Sequence, residues 1–196
     1  TVTWSSSDTD IATVSAAGLV TAVGNGTGMI TATSGSSSAT ASVTIAQVAS
    51  SVTLSPTSLS FSSLGDTATL LATVKDAGGT TMSEAAVTWT TSSDNAVATV
   101  STVGLVTAVG NGTATITATS GSASGSAPVT IAQVASSVTL SPTSLSFSSL
   151  ADTTTLTATV KDADGSTISG ATVTWSSSDT DIATVSAAGL VTAVGN

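Results

Sequence analysis

Residues 87–120 read VTWTTSSDNAVATVSTVGLVTAVGNGTATITATS, and this stretch decides the fold. It recurs almost whole at residues 2–34, and its first two thirds recur at residues 173–196. In each copy a tryptophan, a Ser/Asp loop, an A-T-V segment, a G-L-V segment and a G-N motif follow in the same order. Self-similarity at a fixed spacing is the sequence signature of a repeat architecture. The chain is therefore predicted to be a tandem array of one small module.

The tryptophans set the length of the module, because Trp4, Trp89 and Trp175 lie 85 and 86 residues apart. Residues 1–25 are also identical to residues 172–196. The sequence begins partway into one module and does not start with Met, so we expect it to be a window on a longer array. The predicted units are the C-terminal part of a module at 1–47, a complete module at 48–133 and the N-terminal part of a third at 134–196.

The composition favours β-strands. Apolar residues make up 40% of the chain and charged residues only 7%, and Thr and Val are abundant. Such a composition suits pleated sheets better than helices. Apolar runs recur about every 8–12 residues between Gly, Asn, Asp and Ser, which is typical of an antiparallel sandwich. The complete module is predicted to have strands at 52–54, 59–61, 67–75, 87–91, 97–101, 105–109, 113–119 and 128–132.

The strand predicted at 67–75 has a clear inward face. Comparison of the two copies identifies it, because Leu71 becomes Thr157 while Leu70, Ala72 and Val74 keep apolar counterparts. Side chains alternate between the two faces of a strand. Leu70, Ala72 and Val74 are therefore predicted to point into the core.

The junction between modules is short and contains no flexible linker. Residues 129–138 read VTIAQVASSV, with neither Gly nor Pro. Flexible linkers are rich in Gly and Ser, whereas this segment is largely apolar and β-branched. We expect a stiff, nearly linear string in which each module is stabilised by its own core and by contact with its neighbours.

The charge pattern excludes several partners. The formal net charge is −9, with two basic residues and no histidine. Nucleic acids require clustered cations that displace counterions from phosphate, so they are not expected partners. No apolar run approaches the length of a spanning helix, and membrane insertion of this segment is not expected. The chain has no Cys, so neither a disulfide nor a thiolate metal site is expected.

The repeated stretch resembles the bacterial immunoglobulin-like domain of group 2, the intimin/invasin type. Its signature W-S-S-S-D-x-x-I-A-T-V-S-x-x-G-L-V-T-A-V-G-x-G-T-x-x-I-T-A-T is found at 4–33 and, with one inserted residue, at 89–119. The resemblance implies an all-β fold of tandem immunoglobulin-like antiparallel β-sandwiches. It also implies extracellular location on bacterial adhesins, related exported proteins or phage virion proteins. The tryptophans Trp4, Trp89 and Trp175 are predicted to mark the core.

Catalysis is not expected, because the chain has no His, Cys, Tyr or Arg to act as base or nucleophile. Carboxylate pairs that could serve a glycosidase do occur two residues apart, at Asp8 and Asp10 and at Asp179 and Asp181. In the second copy only Asp94 is kept. We therefore favour a loop in which the carboxylate caps its own backbone.

Calcium is the only candidate cofactor. Asp162 and Asp164 lie in a D-A-D-G sequence, and carboxylate oxygens are the ligands that Ca²⁺ prefers. The previous copy reads D-A-G-G from Asp76, so the second carboxylate is lost. A hairpin turn explains both copies without a metal, and this interpretation is favoured.

Asn25 and Asn111 begin N-G-T sequons and are candidate N-glycosylation sites. A tight Asn-Gly turn explains the same residues and the glycine too, so it is favoured. A row of alternating threonines at 113–119 could bind ice or sugar surfaces. Met29 interrupts the row in the first copy, which favours ordinary strand propensity.

Two functional hypotheses follow. The favoured one is a non-catalytic structural segment of a long extracellular bacterial surface protein or filament, a stalk or spacer in cell adhesion. Its partners would be neighbouring modules and other copies of itself. The alternative is that the modules bind a glycan or a receptor, as parts of an adhesin or a phage fibre. Exposed aromatic or cationic patches would favour the alternative, and the sequence offers few.

Overall fold

The computed structural model describes residues 1–91 and 95–195, and it is built from β-strands without a helix in that part of the chain. The strands are β1 (Thr3–Ser6), β2 (Ala12–Val14), β3 (Val20–Ala22), β4 (Gly26–Ser34), β5 (Ser37–Ile45), β6 (Ser51–Ser55), β7 (Leu59–Phe61), β8 (Thr67–Thr69), β9 (Leu71–Lys75), β10 (Thr88–Thr91), β11 (Ala98–Val100), β12 (Leu105–Ala108), β13 (Gly112–Ser120), β14 (Ala123–Ile131), β15 (Ser137–Ser141), β16 (Thr153–Thr155), β17 (Thr157–Lys161), β18 (Ala183–Val185) and β19 (Leu190–Ala193).

The chain forms two compact units. One contains Thr1–Val52, Thr73–Ala86 and Ser120–Ala123. The other contains Thr53–Ala72, Val87–Thr119 and Ser124–Asn196. Each unit therefore includes residues from more than one copy of the 86-residue repeat. We call residues 1–47, 48–133 and 134–196 the first, second and third repeats; these boundaries stay a prediction.

The second repeat has its strands in two layers. One sheet has the order β10-β13-β14-β7, in which β7 runs parallel to β14. The other strands form the antiparallel sheet β11-β12-β8 and the pair β6-β9. This arrangement confirms the predicted all-β sandwich class, since sheets with one apolar face must bury it against a second layer.

Alternating side chains from both layers build the core. Along β13 the buried positions are Ala114, Ile116 and Ala118, with the threonines between them on the other face. The largest fully buried side chains are Leu70, Val106, Ile116, Val129 and Ile131. A period of two, with one buried face, is the pattern that fixes strand register.

The predicted strand 67–75 is interrupted at Leu70, and this part of the prediction was wrong. Leu70 is buried to 1% exposure, and its backbone N–H donates to Gly104 O at 2.9 Å, one step beyond the Thr69↔Leu105 pair of β8 and β12. The strand is interrupted there because the chain changes partner, from β12 for β8 to β6 for β9. The inward face was predicted correctly, since Val74 is 3% exposed and Leu71 is 66% exposed. The same alternate positions therefore face the core before and after the interruption.

The last strand of the repeat is longer than predicted. β14 begins at Ala123, before the predicted start at Pro128, because the Ser/Gly-rich run before Pro128 pairs in a hairpin of nine-residue strands. Pro128 is exposed and Ala127 and Val129 are buried, so the ring lies on the outer face. The short side chains of this run resemble a loop in sequence but fit a strand.

The other two repeats use the same strand pairs. In the first repeat, β1 and β5 flank β4 in one sheet and β2 pairs with β3. In the third, β15 pairs with β17, and β16 and β18 flank β19. The pairings Val14↔Val20, Val100↔Val106 and Val185↔Val191 are equivalent in the three copies. Identical local sequence therefore gives identical register.

Candidate functional site at the repeat junctions

The most specific polar contacts of the chain lie where one repeat passes into the next. Asn111 occupies the turn before β13, and Gln133 follows β14. The backbone N–H of Gln133 donates to Asn111 Oδ1 at 2.8 Å, and Asn111 Nδ2 donates to Gln133 Oε1 at 2.9 Å. The asparagine therefore holds both the backbone and the side chain of the glutamine in place.

The same glutamine reaches the next repeat. Gln133 Nε2 donates to Asp162 Oδ2 at 2.8 Å. Asp162 begins the turn after β17 and is only 2% exposed. Its Oδ2 also accepts from the Leu64 N–H at 3.0 Å, and its Oδ1 accepts from the Ser166 N–H at 2.8 Å. Donors from the second and third repeats thus converge on one carboxylate.

The direction of this chain of hydrogen bonds follows from its chemistry. An ionised carboxylate only accepts hydrogen bonds, so Asp162 requires the amide nitrogen of Gln133. The glutamine then presents its oxygen to the other side, where only a donor fits. The Nδ2 group of Asn111 is that donor. The anionic Asp162 therefore sets the orientation of the Gln133 amide, and that orientation requires the Nδ2 donor of Asn111.

The junction between the first and second repeats has the same contacts. Gln47 N donates to Asn25 Oδ1 at 2.7 Å, and Asn25 Nδ2 donates to Gln47 Oε1 at 3.1 Å. Gln47 Nε2 donates to Asp76 Oδ2 at 2.8 Å, while Asp76 Oδ1 accepts from the Thr80 N–H at 2.8 Å. We call the sets Asn25–Gln47–Asp76 and Asn111–Gln133–Asp162 the junction relays.

The relays lower the pKa of their carboxyl groups. The hydrogen bond from Gln47 is the main cause of the lowered pKa of Asp76, with the Thr80 N–H adding to it. The hydrogen bond from Gln133 is the main cause for Asp162, where partial burial opposes the change and the N–H groups of Leu64 and Ser166 reinforce it. Hydrogen bonds to the charged form favour ionisation. Both aspartates are therefore held as anions.

A third carboxyl group lies beside the second relay. Desolvation raises the pKa of Asp164, and the negative charge of Asp66, a hydrogen bond with Asp66 and the charge of Asp162 raise it further. Asp66 belongs to the second repeat, whereas Asp164 belongs to the third. The first relay has Gly78 at the equivalent of Asp164, so this repulsion is specific to the second junction.

The calcium candidates Asp162 and Asp164 are therefore close together, but their roles differ. Asp162 already accepts three hydrogen bonds from the protein. Among residues 1–91 and 95–195, no group of three or more acidic, histidine or cysteine side chains is placed to hold a metal ion. Calcium binding by Asp162 and Asp164 stays a prediction.

The candidate glycosylation residues Asn25 and Asn111 both belong to the relays. A glycan on Nδ2 of either residue would replace one of its two amide hydrogens, and that nitrogen already donates to a glutamine. The predicted tight Asn-Gly hairpin turn was wrong, because β3 and β4, like β12 and β13, belong to different sheets. The glycines after the asparagines are explained by their backbone, since Gly26 and Gly112 have φ angles of 144° and 141°. Glycosylation at Asn25 and Asn111 stays a prediction.

Each tryptophan lies against a glycine of the G-L-V segment. A Cβ atom added to Gly104 would stand 2.8 Å from Trp89 Cζ2, and the pairs Trp4–Gly18 and Trp175–Gly189 give 2.9 and 3.0 Å. Trp89 and Trp175 are half-buried, and Trp4 is 38% exposed. The indoles are thus partly exposed, and the role of Trp4, Trp89 and Trp175 as core markers stays a prediction.

One carboxylate of each candidate glycosidase pair, Asp8 and Asp179, caps its own loop. Asp8 Oδ1 accepts from the Asp10 N–H at 2.9 Å, and Asp179 Oδ1 accepts from the Asp181 N–H at 3.0 Å. This confirms the capping interpretation for these two loops. Asp94, which the sequence aligns with Asp8, lies outside the described residues.

The outer face of β1, β4 and β5 is covered by hydroxyl groups. Thr31 stands between Ser5 and Thr40, and Thr33 stands between Thr3 and Ser38. We call these six side chains the hydroxyl face. It has no charged group, and Met29 adjoins it on β4.

A cleft of about 760 Å³ lies beside Trp175 in the third repeat. Val138 and Leu140 line it and are 55% and 43% exposed, whereas their counterparts in the second repeat, Val52 and Leu54, are 6% and 8% exposed. The given sequence stops before the counterparts of β13 and β14, so this repeat lacks the strands that complete the sandwich in the second repeat.

Sequence reasoning missed Gln47 and Gln133. Both occur in the duplicated segment IAQVASSV and stand at the same distance from an Asn-Gly turn and an Asp turn. That shared spacing was the available signal.

No helix in the described part of the chain is long and apolar enough to cross a membrane.

The chain is similar to several known proteins. It is 40% identical over 191 residues to Ice-binding protein 1 of Shewanella frigidimarina, covering 95% of this chain and 21% of that protein, so it spans about a fifth of the relative's length. Domains 4 and 5 of the S-layer protein SbsC match with a TM-score of 0.41 at 26% identity, over 67% of this chain and 70% of that one. The Escherichia coli adhesin FdeC matches with a TM-score of 0.43 at 25% identity, over 74% of this chain and 53% of that one.

The family model for the bacterial Ig-like domain (group 2) matches three successive segments, residues 1–45, 48–131 and 134–196. Together these segments include nearly the whole sequence. The repeated tryptophan stretch, the antiparallel sheets and these matches agree. The chain belongs to the bacterial Ig-like domain family of group 2, present here as tandem repeats.

Proposed function

We propose that this chain is a non-catalytic structural segment, a stalk or spacer, of a long extracellular bacterial surface protein or filament that serves cell adhesion. The observation that supports it most is the repetition of the junction relay. Asn25–Gln47–Asp76 and Asn111–Gln133–Asp162 have the same donors and acceptors with distances of 2.7–3.1 Å. A binding module needs no such contact with its neighbour, whereas a spacer does.

The chemistry of the surface supports the same function. Three of the side chains that attracted catalytic or metal hypotheses are engaged in structural hydrogen bonds: Asp8 and Asp179 cap their own loops, and Asp162 belongs to a relay. With 7% charged residues and a net charge of −9, the array would have little affinity for polyanions. The name of the S-layer protein that it resembles and that of the adhesin are compatible with surface display.

Self-association of copies is part of the proposal. Flat sheets with few charges are weakly protected against lateral pairing. The hydroxyl face and its equivalent on β13 provide such surfaces along successive repeats. Sedimentation velocity over a wide concentration range would detect association, and a single monomeric species throughout would remove this element.

Electron microscopy of the native protein tests the main proposal. A spacer should be seen as a beaded rod whose length increases by a constant step per repeat. Small-angle scattering of the 196-residue chain gives the matching measurement in solution, as a maximum dimension well above that of a globular protein of the same mass. Compact particles in both measurements would contradict the proposal.

The second candidate is ligand binding by the hydroxyl face, either to a glycan or a receptor on an adhesin or phage fibre. The hydroxyl face on β1, β4 and β5 favours this candidate, because its Ser and Thr side chains are uncharged. The relative named an ice-binding protein makes ice a further ligand to test. A glycan array and a thermal-hysteresis measurement with the intact chain would detect either, with Thr31→Glu as the variant expected to abolish binding.

A further inference from the structure

We propose that each junction relay is a latch that holds two successive repeats in one orientation, and that it closes only when the asparagine and glutamine side chains are amides. The inference deepens the proposed spacer function by assigning its stiffness to three side chains per junction. It concerns Gln47 and Gln133 above all, because each glutamine contacts both neighbours.

Donors from two successive repeats converge on one carboxylate. At the second junction, the Asp162 carboxylate receives Gln133 from the end of the second repeat and the Leu64 N–H from within it. The Ser166 N–H, from the third repeat, fixes the same carboxylate from the other side. A group fixed by three donors on two repeats cannot move with one of them alone without breaking a charge-assisted hydrogen bond.

The relay at the second junction leaves Gln133 no alternative arrangement of its side chain. Gln133 is bound through its backbone N–H and both side-chain polar atoms. A rotation of the glutamine side chain by half a turn would present its oxygen to the anionic Asp162 and its nitrogen to the donor of Asn111. Both contacts would become repulsive, so the relay has one low-energy arrangement.

Backbone hydrogen bonds reinforce the relays. Near the second relay, the Ser136 N–H donates to Lys161 O at 2.8 Å and the Val134 N–H donates to Ser62 O at 2.9 Å. Near the first relay, the Ser50 N–H donates to Lys75 O at 2.8 Å. The segment after Gln133 is therefore held by both the second and the third repeat, and the segment after Gln47 is held by the second repeat.

Replacing an amide by a carboxylate should open the latch. In the variant Gln133→Glu, the new side chain has no donor for Asp162 and adds a second negative charge beside it. In Asn111→Asp, the contact with the backbone N–H of Gln133 is kept, but Gln133 Oε1 faces an anion. If Gln133→Glu disturbs folding, the milder variant Asn111→Asp tests the same relay.

The experiment uses distances between two spin labels on the full chain, which has no natural cysteine. Ser126→Cys on β14 and Thr155→Cys on β16 are exposed positions in the second and third repeats. We expect a narrow distance distribution in the parent, and one about twofold wider in Gln133→Glu and Asn111→Asp, as a second population becomes accessible. Far-ultraviolet circular dichroism of each variant confirms that the strands persist.

Asn95→Asp is the matched control. Asn95 is exposed, and its Oδ1 accepts from Thr91 Oγ1, a bond that a carboxylate retains. This variant adds the same charge away from the junction and should leave the distribution unchanged. An unchanged distribution in both relay variants would overturn the latch, even if the protein is a rod by microscopy. A compact particle with a narrow parent distribution would instead contradict the spacer function alone.

Discussion

The indole ring of Trp89 lies against Gly104, where an added Cβ would stand 2.8 Å from Cζ2. The same position would also place the Cβ against the carbonyl oxygen of Leu70. Gly104 has a φ of 80°, a left-handed conformation that side chains disfavour. The glycine of the G-L-V segment is thus required both by its backbone angle and by its neighbours, which explains why it accompanies every tryptophan in the sequence.

Gly104→Ala should destabilise the second repeat strongly. The left-handed conformation costs about 1–2 kcal/mol for a residue with a Cβ, and the crowding against Trp89 adds about 1–3 kcal/mol. Urea denaturation monitored by tryptophan fluorescence measures the loss. Gly121→Ala is the control, because its φ is 58° and no atom lies within 4 Å of an added Cβ. Equal effects of the two variants would show that the tryptophan contact contributes nothing.

Acid should weaken the junctions. The pKa of Asp162 is lowered below its ordinary value of 3.8, chiefly by the hydrogen bond from Gln133. A lowered pKa in the folded state gives stability that is present above pH 3.8 and lost as the pH falls through the lowered pKa. Thermal melts from pH 6 to about pH 2 should show this decline.

Asp162→Asn should be less stable than the parent at neutral pH and should show a smaller decline in acid. Asp76→Asn should behave in the same way at the first junction, since the pKa of Asp76 is lowered by Gln47. If both variants kept the full acid dependence of the parent, other carboxyl groups would be responsible.

Removing the charge of Asp164 should have the opposite effect. Its pKa is raised, first by desolvation and then by the charge of Asp66. A raised pKa gives stability that is present below pH 3.8 and lost as the pH rises through the raised value, so the parent is penalised at neutral pH. Asp164→Asn should therefore raise the melting temperature at pH 7 and leave it unchanged below pH 3. Asp10→Asn, in an exposed loop, provides the control. A lower melting temperature for Asp164→Asn at pH 7 would contradict the repulsion.

Calcium should leave the stability of the chain almost unchanged. The oxygens of Asp162 already accept three protein donors, so a cation would have to displace hydrogen bonds that hold the relay. Melting temperatures with excess EDTA and with millimolar CaCl₂ should agree. A saturable rise with calcium that disappears in Asp164→Asn would instead establish the metal site that the D-A-D-G sequence suggests.

Much of the fold could be predicted from local sequence, because the alternation of apolar and polar side chains along a strand shows which face is buried. The threonine positions of β13 and the apolar phase of Leu70 and Val74 are examples. The interruption at Leu70 could not be predicted, since it arises where the chain changes its pairing partner from β12 to β6, and the alternation of a strand does not show which strand it pairs with. The relays were missed for a related reason. Asn111 already had a local explanation as a turn residue, and Asp162 had another, so nothing in either segment required a partner.

The junction relay gives the array a polarity. The second repeat offers an aspartate acceptor, Asp76, to the repeat before it and an amide pair, Asn111 and Gln133, to the repeat after it. The two sides of the repeat are therefore complementary to each other, and neither is complementary to itself. Contacts between unlike surfaces of this kind do not close on themselves and generate open-ended assemblies. Growth by gene duplication could therefore lengthen such a protein one repeat at a time without any new interface having to evolve.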